Sequence, residues 1–260
     1  MTQYLDYNIK GRTAIVTGAG TGIGQASAIE LAKAGAKVAL FGRRIEKLEE
    51  TKAEALKYTG DVLAISVDVS DRSSVLAAVS KVADAFGGAE ILVNNAGIES
   101  PLEPGQSFQD LFDDQTPDEY LEFFKIHALG HFNMNEAVLP YMKEKKYGRI
   151  VNITSVTGMN GVYSTSAYTA SKGAAITQTK AFAPRIAPYN ITINSIAPGM
   201  VDTPMKIGAS KEEFEFVANI TPLGRVAQPV DIARVVMFFA QENLFVTGQN
   251  LVVDGGSSIF

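Results

Sequence analysis

Tyr168 and Lys172 stand four residues apart in the stretch YTASK, and Ser155 lies thirteen residues upstream of the tyrosine. On a helix the first two share a face. A phenol has an ordinary pKa of about 10 and is a poor base at neutral pH, but a neighbouring ammonium favours the phenolate and is expected to lower that value. Such a phenol exchanges a proton with a carbinol or carbonyl oxygen while a hydroxyl, here Ser155, holds that oxygen. Y-x-x-x-K alone is also the pattern of an ordinary surface helix pair. The only two histidines, His127 and His131 in KIHALGH, are likewise four apart. A metal pair, proton-passing groups and plain helix packing all fit that spacing. Two nitrogens in a chain without cysteine, with no motif carboxylate nearby, make a poor zinc site, so no metal is expected.

A second cluster is TGAGTGIG, with Gly18, Gly20, Gly22 and Gly24 between a β-rich run and a helical pattern. Glycines there let backbone N–H groups and a helix N-terminus approach a pyrophosphate. The spacing is T-G-x-x-x-G-x-G, not G-x-G-x-x-G. At the end of the next β-rich run the chain reads FGRR: Gly42 stands where an acid would bind the adenosine ribose, and Arg43 and Arg44 follow. Basic side chains there accommodate a 2′-phosphate, so NADP(H) is preferred, with NAD(H) as the alternative.

These residues must be positioned by a repeating framework. RTAIVTG, KVALFG, VLAISVDV, EILVNNAG, GRIVNITS, NITINSIAPG and NLVVDGG read as seven buried strands. Helical patterns alternate with them over about 25–33, 45–58, 73–86, 117–145, a stretch holding Tyr168, and 229–240. Parallel neighbours need crossover connections, so the order predicts an α/β fold with a doubly wound parallel sheet. Thr116 before Pro117, with Asp118 and Glu119, marks a helix start. Pro184 lacks the amide donor and is expected to end or kink the helix after Tyr168.

The totals exclude other classes. The 260 residues, 46% hydrophobic, can bury a substantial core, and no linker divides them, so residues 1–260 read as a single domain. A net charge of -5 disfavours a nucleic-acid partner. The chain has no cysteine, and hence no disulfide or thiolate chemistry. The first residues lack a signal-peptide pattern and no apolar run has the length of a membrane span, which predicts a soluble cytoplasmic protein with no membrane partner.

TGAGTGIG, the Asp68-Val69 pair, NNAG, Ser155, YTASK, NSIAPGMVDTP and VTGQNLVVDGG occur in one order over nearly the whole chain. In this the sequence resembles the short-chain dehydrogenase/reductase family. The resemblance implies a Rossmann-type domain, hydride transfer between a nicotinamide and an alcohol or ketone, and a homotetramer or homodimer. By resemblance Gly18, Gly22 and Gly24 form the pyrophosphate turn, and Ile23 lies near the nicotinamide. Asp68 and Val69 hold adenine, and Asn95 steadies the sheet beside the adenosine ribose. Ser155, Tyr168 and Lys172 are the catalytic residues, with Lys172 also on the nicotinamide ribose. Pro198, Gly199 and Thr203 close over the nicotinamide, and about 200–222 form a substrate lid. Met159, Thr165 and Met205 are expected on the substrate wall with Ser155.

The resemblance implies a carbonyl or alcohol substrate: a small ketone, a sugar or polyol, or a 3-oxoacyl thioester. His127 occupies the position of the family's relay asparagine, which helps hold a water linking the lysine to solvent. Its main-chain carbonyl preserves that water, and its imidazole is a candidate to pass protons itself. His131 is assigned to packing or a subunit interface. The acidic segment between Gly97 and His127 is expected to form a loop beside the substrate entrance. The rival reading is an NADP-binding sensor or scaffold with little turnover.

Overall fold

The computed structural model describes residues 7–99, 115–161, 164–205 and 210–258. The alternating pattern resolves into seven strands: β1 (Thr13–Thr17), β2 (Lys37–Gly42), β3 (Val62–Ser66), β4 (Ile91–Asn94), β5 (Gly148–Ile153), β6 (Ile191–Pro198) and β7 (Asn250–Val253). They form one parallel sheet in the order β3-β2-β1-β4-β5-β6-β7. β1, β4 and β5 are buried at every position, which explains why they read as unbroken apolar runs rather than alternating ones. Strand order reverses between β1 and β4, and this opens a crevice at the carboxyl ends of the strands.

The helices are α1 (Gly22–Lys33), α2 (Ile45–Ala55), α3 (Arg72–Phe86), α4 (Pro117–Phe124), α5 (Gly130–Lys145), α6 (Thr157–Asn160), α7 (Ser166–Ile186), α8 (Lys211–Ile220) and α9 (Pro229–Ala240). Leu31 of α1 and Ile232 and Val236 of α9 join Val16 and Leu40 in one core. On the other face Val79, Met134, Val138 and Phe182 pack with Ile15, Phe41 and Leu92. No helix among the described residues is long and apolar enough to cross a membrane.

Four local features refine the periodic pattern. α1 begins at Gly22, earlier than Gln25, after an extended Thr21 whose side chain makes no capping bond. The expected helix over 117–145 is interrupted by a π-helical turn at Lys125–Leu129, closed by the Gly130 N–H on the Lys125 carbonyl. Its start is as expected: Thr116 and Glu119 form a reciprocal capping box ahead of Pro117. α7 runs through Pro184 to Ile186 before a short 3-10 turn, Ala187–Tyr189; Lys180 and Pro184 are exposed, so water can satisfy the carbonyl that proline leaves unpaired. α8 lies within the stretch expected as a lid, and none of its residues is buried.

The amino ends of the strands are tied together. Glu90 accepts from Arg12 at 3.0 Å and from the Thr13 N–H at 2.9 Å, and Arg12 also reaches Glu242 at 2.8 Å. The Tyr147 ring has the guanidinium of Arg12 at 3.9 Å and that of Arg149 at 4.3 Å from its centroid. Arg149 donates to the carbonyls of Gln241, Glu242 and Asn190. This polar clamp joins β1, β4 and β5 to the end of α9, opposite the crevice.

Candidate active site

The glycine turn lies against the end of β4. Gly18 adopts φ +62°, and a Cβ there would come within 2.8 Å of Asn95 Nδ2; one on Gly24 would strike the Gly18 carbonyl oxygen. Only glycine gives this close approach. Asn95 Nδ2 donates to the Thr17 and Gly18 carbonyls at 3.0 and 3.3 Å, while Thr17 Oγ1 accepts the N–H groups of Asn95 and Ala96, each at 2.9 Å. β1 and β4 are thereby stitched together at their carboxyl ends. The uncapped start of α1, with Gly22 at φ +58°, is a cradle that fits a pyrophosphate.

Arg43 and Arg44 are exposed immediately past β2. Asp68 Oδ1 accepts from the Ser70 N–H at 2.9 Å and the Ser70 hydroxyl at 2.7 Å, fixing the turn after β3. Val69 is buried under Gly130, where a Cβ would fall 2.7 Å from its Cγ2.

Tyr168 enters α7 one turn after its N-cap, Thr165, whose hydroxyl accepts the Tyr168 N–H at 3.2 Å. Lys172, one turn further, is buried and donates to the Ile153 carbonyl at 3.1 Å. Its Nζ lies 5.6 Å from the centroid of the Tyr168 ring. Ser155 follows β5 and is hydrogen-bonded to the phenol. Its Oγ also accepts from Thr157 Oγ1 at 2.9 Å and the Thr157 N–H at 3.2 Å.

Burial pulls the Lys172 ammonium down to about 8, against the opposing pull of Glu99. The same burial, aided by Glu99 and opposed by the Ser155 hydrogen bond, pushes the Tyr168 phenol above its ordinary value. Lys172 is not among the groups that shift it, and its Nζ approaches the ring 5.6 Å from the centroid.

His127 is fully buried in the π-helical turn. The Ile98 N–H donates to its Nε2 at 3.0 Å, so the neutral ring carries its proton on Nδ1, which lies 2.9 Å from Ser171 Oγ. Ser171 in turn donates to the Tyr168 carbonyl at 2.8 Å. Burial and the charge of Lys172 hold the imidazole well below its ordinary value. Both ring nitrogens are thus hydrogen-bonded within the fold. Gly97 leaves room beside it: a Cβ there would lie 3.0 Å from His127 Nε2 and 3.7 Å from Lys172 Nζ. His131 is buried inside the fold, held down to about 3 by burial and then by Lys172, with no partner for either nitrogen among the described residues.

Ile23, Asn95, Pro198, Gly199 and Thr203 border the same cleft as Tyr168 and Lys172, and Met205 lies on its wall. Two other residues expected on the substrate wall have partners within the fold. Thr165 is buried and used as a cap, and exposed Met159 accepts from Asn250 Nδ2 at 3.1 Å. Most of the acidic segment, residues 100–114, lies outside the described residues. Thr157 and Glu99 belong to no motif, and Ser171 sits inside YTASK without a role assigned from its spacing. Thr157 and Ser171 orient catalytic candidates, and Glu99 lines the cleft.

A family profile described as short chain dehydrogenase matches residues 12–213. The 3-oxoacyl-[acyl-carrier-protein] reductase FabG of Thermotoga maritima is 34% identical over 249 residues, covering 95% of this chain and 98% of its own. Levodione reductase of Leifsonia aquatica is 35% identical over 259 residues, covering 95% of this chain and 94% of its own. Among solved structures, a 3-ketoacyl-(acyl-carrier-protein) reductase from Brucella melitensis complexed with NADH superimposes with a TM-score of 0.85 at 30% identity, covering 96% of this chain and 100% of that one.

Proposed function

The chain belongs to the short-chain dehydrogenase/reductase family and is an NAD(P)-dependent oxidoreductase that moves a hydride between nicotinamide and a ketone or secondary alcohol; within that reaction we propose a carbonyl reductase that prefers NADP(H) and uses Tyr168 as its acid. The observation that carries this is the meeting of Ser155, Tyr168 and Lys172 at the crevice where the strand order reverses. When bound, the nicotinamide supplies the hydride. Tyr168 gives its proton to the carbonyl oxygen, Ser155 orients that oxygen, and Lys172 supports the phenol and the nicotinamide ribose. The reverse oxidation uses the same groups.

The glycine turn is proposed to hold the pyrophosphate, Asp68 and Val69 the adenine, and Pro198, Gly199 and Thr203 the nicotinamide. Exposed Arg43 and Arg44 beside Gly42 support a 2′-phosphate. His127 acts as a positioning residue through Ile98 and Ser171, while its main-chain carbonyl keeps the proposed water link to Lys172. Residues 200–222 serve as the lid, with unburied α8 as its body. Phe245 and Leu251, exposed just before and within the edge strand β7, support assembly of copies into a homodimer or homotetramer. A chain without cysteine suits the cytoplasm.

The test is the initial rate of NADPH and of NADH oxidation with a panel of ketones, ketoses and 3-oxoacyl thioesters. Turnover favouring NADPH and falling by at least about 10³-fold in Tyr168→Phe is expected. Turnover that survives this change would overturn the assignment.

A further inference from the structure

Ser155 is buried just past β5, and one residue engages its hydroxyl twice. The Thr157 N–H donates to Ser155 Oγ at 3.2 Å, and Thr157 Oγ1 donates to it at 2.9 Å. A hydroxyl has one hydrogen to donate and two lone pairs that accept. Thr157 takes both lone pairs, so what remains to Ser155 is to donate.

The turn that carries Thr157 is itself held in place. The Val156 N–H donates to the Pro198 carbonyl at 3.1 Å, and the Gly158 N–H to the Ser155 carbonyl at 3.2 Å. A Cβ on Gly158 would fall 2.8 Å from both the Gly173 nitrogen and the Lys172 carbonyl carbon, so α6 is pressed against the backbone of α7 at Lys172. Thr157, half-buried, is thus fixed relative to the helix that carries Tyr168 and Lys172.

We propose that Thr157 is a positioning residue of the reduction, whose hydroxyl and N–H leave Ser155 a donor only, with its hydrogen turned toward the reacting carbonyl oxygen. The proposal rests on the reading of Ser155 as the group that orients that oxygen, and it names what orients Ser155. A hydroxyl that receives a hydrogen bond is polarised and donates more strongly. The gain grows as negative charge collects on the carbonyl oxygen while hydride arrives, so it is larger in the transition state than in the bound ketone. Its loss therefore falls on kcat more than on KM.

Thr157→Val keeps the shape of the side chain and removes the O–H, whereas Thr157→Ser keeps the O–H and removes the methyl group. The test is steady-state kinetics of both variants with the ketone and reduced cofactor that wild type uses best, with cofactor affinity read from nicotinamide fluorescence. Thr157→Val should lower kcat by about 3–10-fold, the scale of one hydrogen bond, with KM and cofactor affinity within about twofold of wild type. Thr157→Ser should bring kcat back to within about twofold of wild type. A packing role gives the opposite order, with the valine variant close to wild type and the serine variant impaired. An unchanged kcat in Thr157→Val, a serine variant as slow as the valine variant, or a loss carried by KM or by cofactor affinity overturns the proposal. If turnover still depends on Tyr168 in that case, the reductase reading stands; if no compound of the panel is turned over in a Tyr168-dependent way, both fall.

Discussion

At the carboxyl end of β2 a single missing side chain governs the cofactor. A Cβ on Gly42 would come 3.3 Å from Leu48 Cδ2, the flexible end of a side chain, so Gly42→Asp fits with a small shift. The new carboxylate would face ribose hydroxyls and oppose a 2′-phosphate beside Arg43 and Arg44. The NADPH-to-NADH ratio of kcat/KM should fall by about 10–100-fold; an unchanged ratio would remove the two arginines from cofactor choice. Lys172 shows a different cost. Burial brings its ammonium from 10.5 to about 8, so at pH 7 the folded state carries a charge that the unfolded chain solvates better. Lys172→Met should abolish turnover yet raise stability at pH 7 by about 1–3 kcal/mol, read by urea unfolding. Between pH 8 and 10.5 the unfolded lysine binds more proton than the folded one, so wild type gains stability as pH rises and the gap to the variant closes. Ser155, Tyr168 and Lys172 were legible because their spacing encodes their shared place. Glu99 was not, since nothing in a lone glutamate of an acidic segment says which way it faces.

Among the elements, the π-helical turn at Lys125–Leu129 matters most to the site. It carries His127, which ties the Ile98 N–H to Ser171, and through Ser171 to the backbone of Tyr168. Ser171→Ala leaves a buried Nδ1–H without its acceptor and should cost about 1–2 kcal/mol of stability. It should also lower kcat by several-fold while leaving the KM for NADPH close to wild type. In His127→Asn the shape of the pH–rate profile should persist, since the ring is not the titrating group; a limb that moves with the substitution would restore the imidazole to the proton path. All seven strands were legible because each is a short, largely apolar run between turn residues. The π-helical turn was hidden because Leu121, Phe124, Ala128 and Phe132 continue a helical period through it. α8 was hidden because no core residue marks its face; its Ser210 and Glu213 capping box was the available signal.

For the whole molecule, the edge strand and its exposed phenylalanines bear on assembly. Phe245 is fully exposed, and Phe245→Glu should reduce the molar mass measured by light scattering if copies pair along β7; an unchanged mass would exclude that edge. The alternation of strands and helices made the parallel sheet and its crevice legible, whereas the clamp of Arg12, Tyr147 and Arg149 was not, since its members come from separate segments with no shared motif. That clamp gives the sheet a mechanical polarity. One end is locked by guanidinium groups stacked on a ring, while the other ends in loops and in a helix, α8, with no buried residue. Opening on warming is expected to begin at α8, on the side of the chemistry, before it reaches the lock. Activity and circular dichroism followed together on heating check this: activity should fall at the lower temperature, and coincident loss would place the weak point elsewhere.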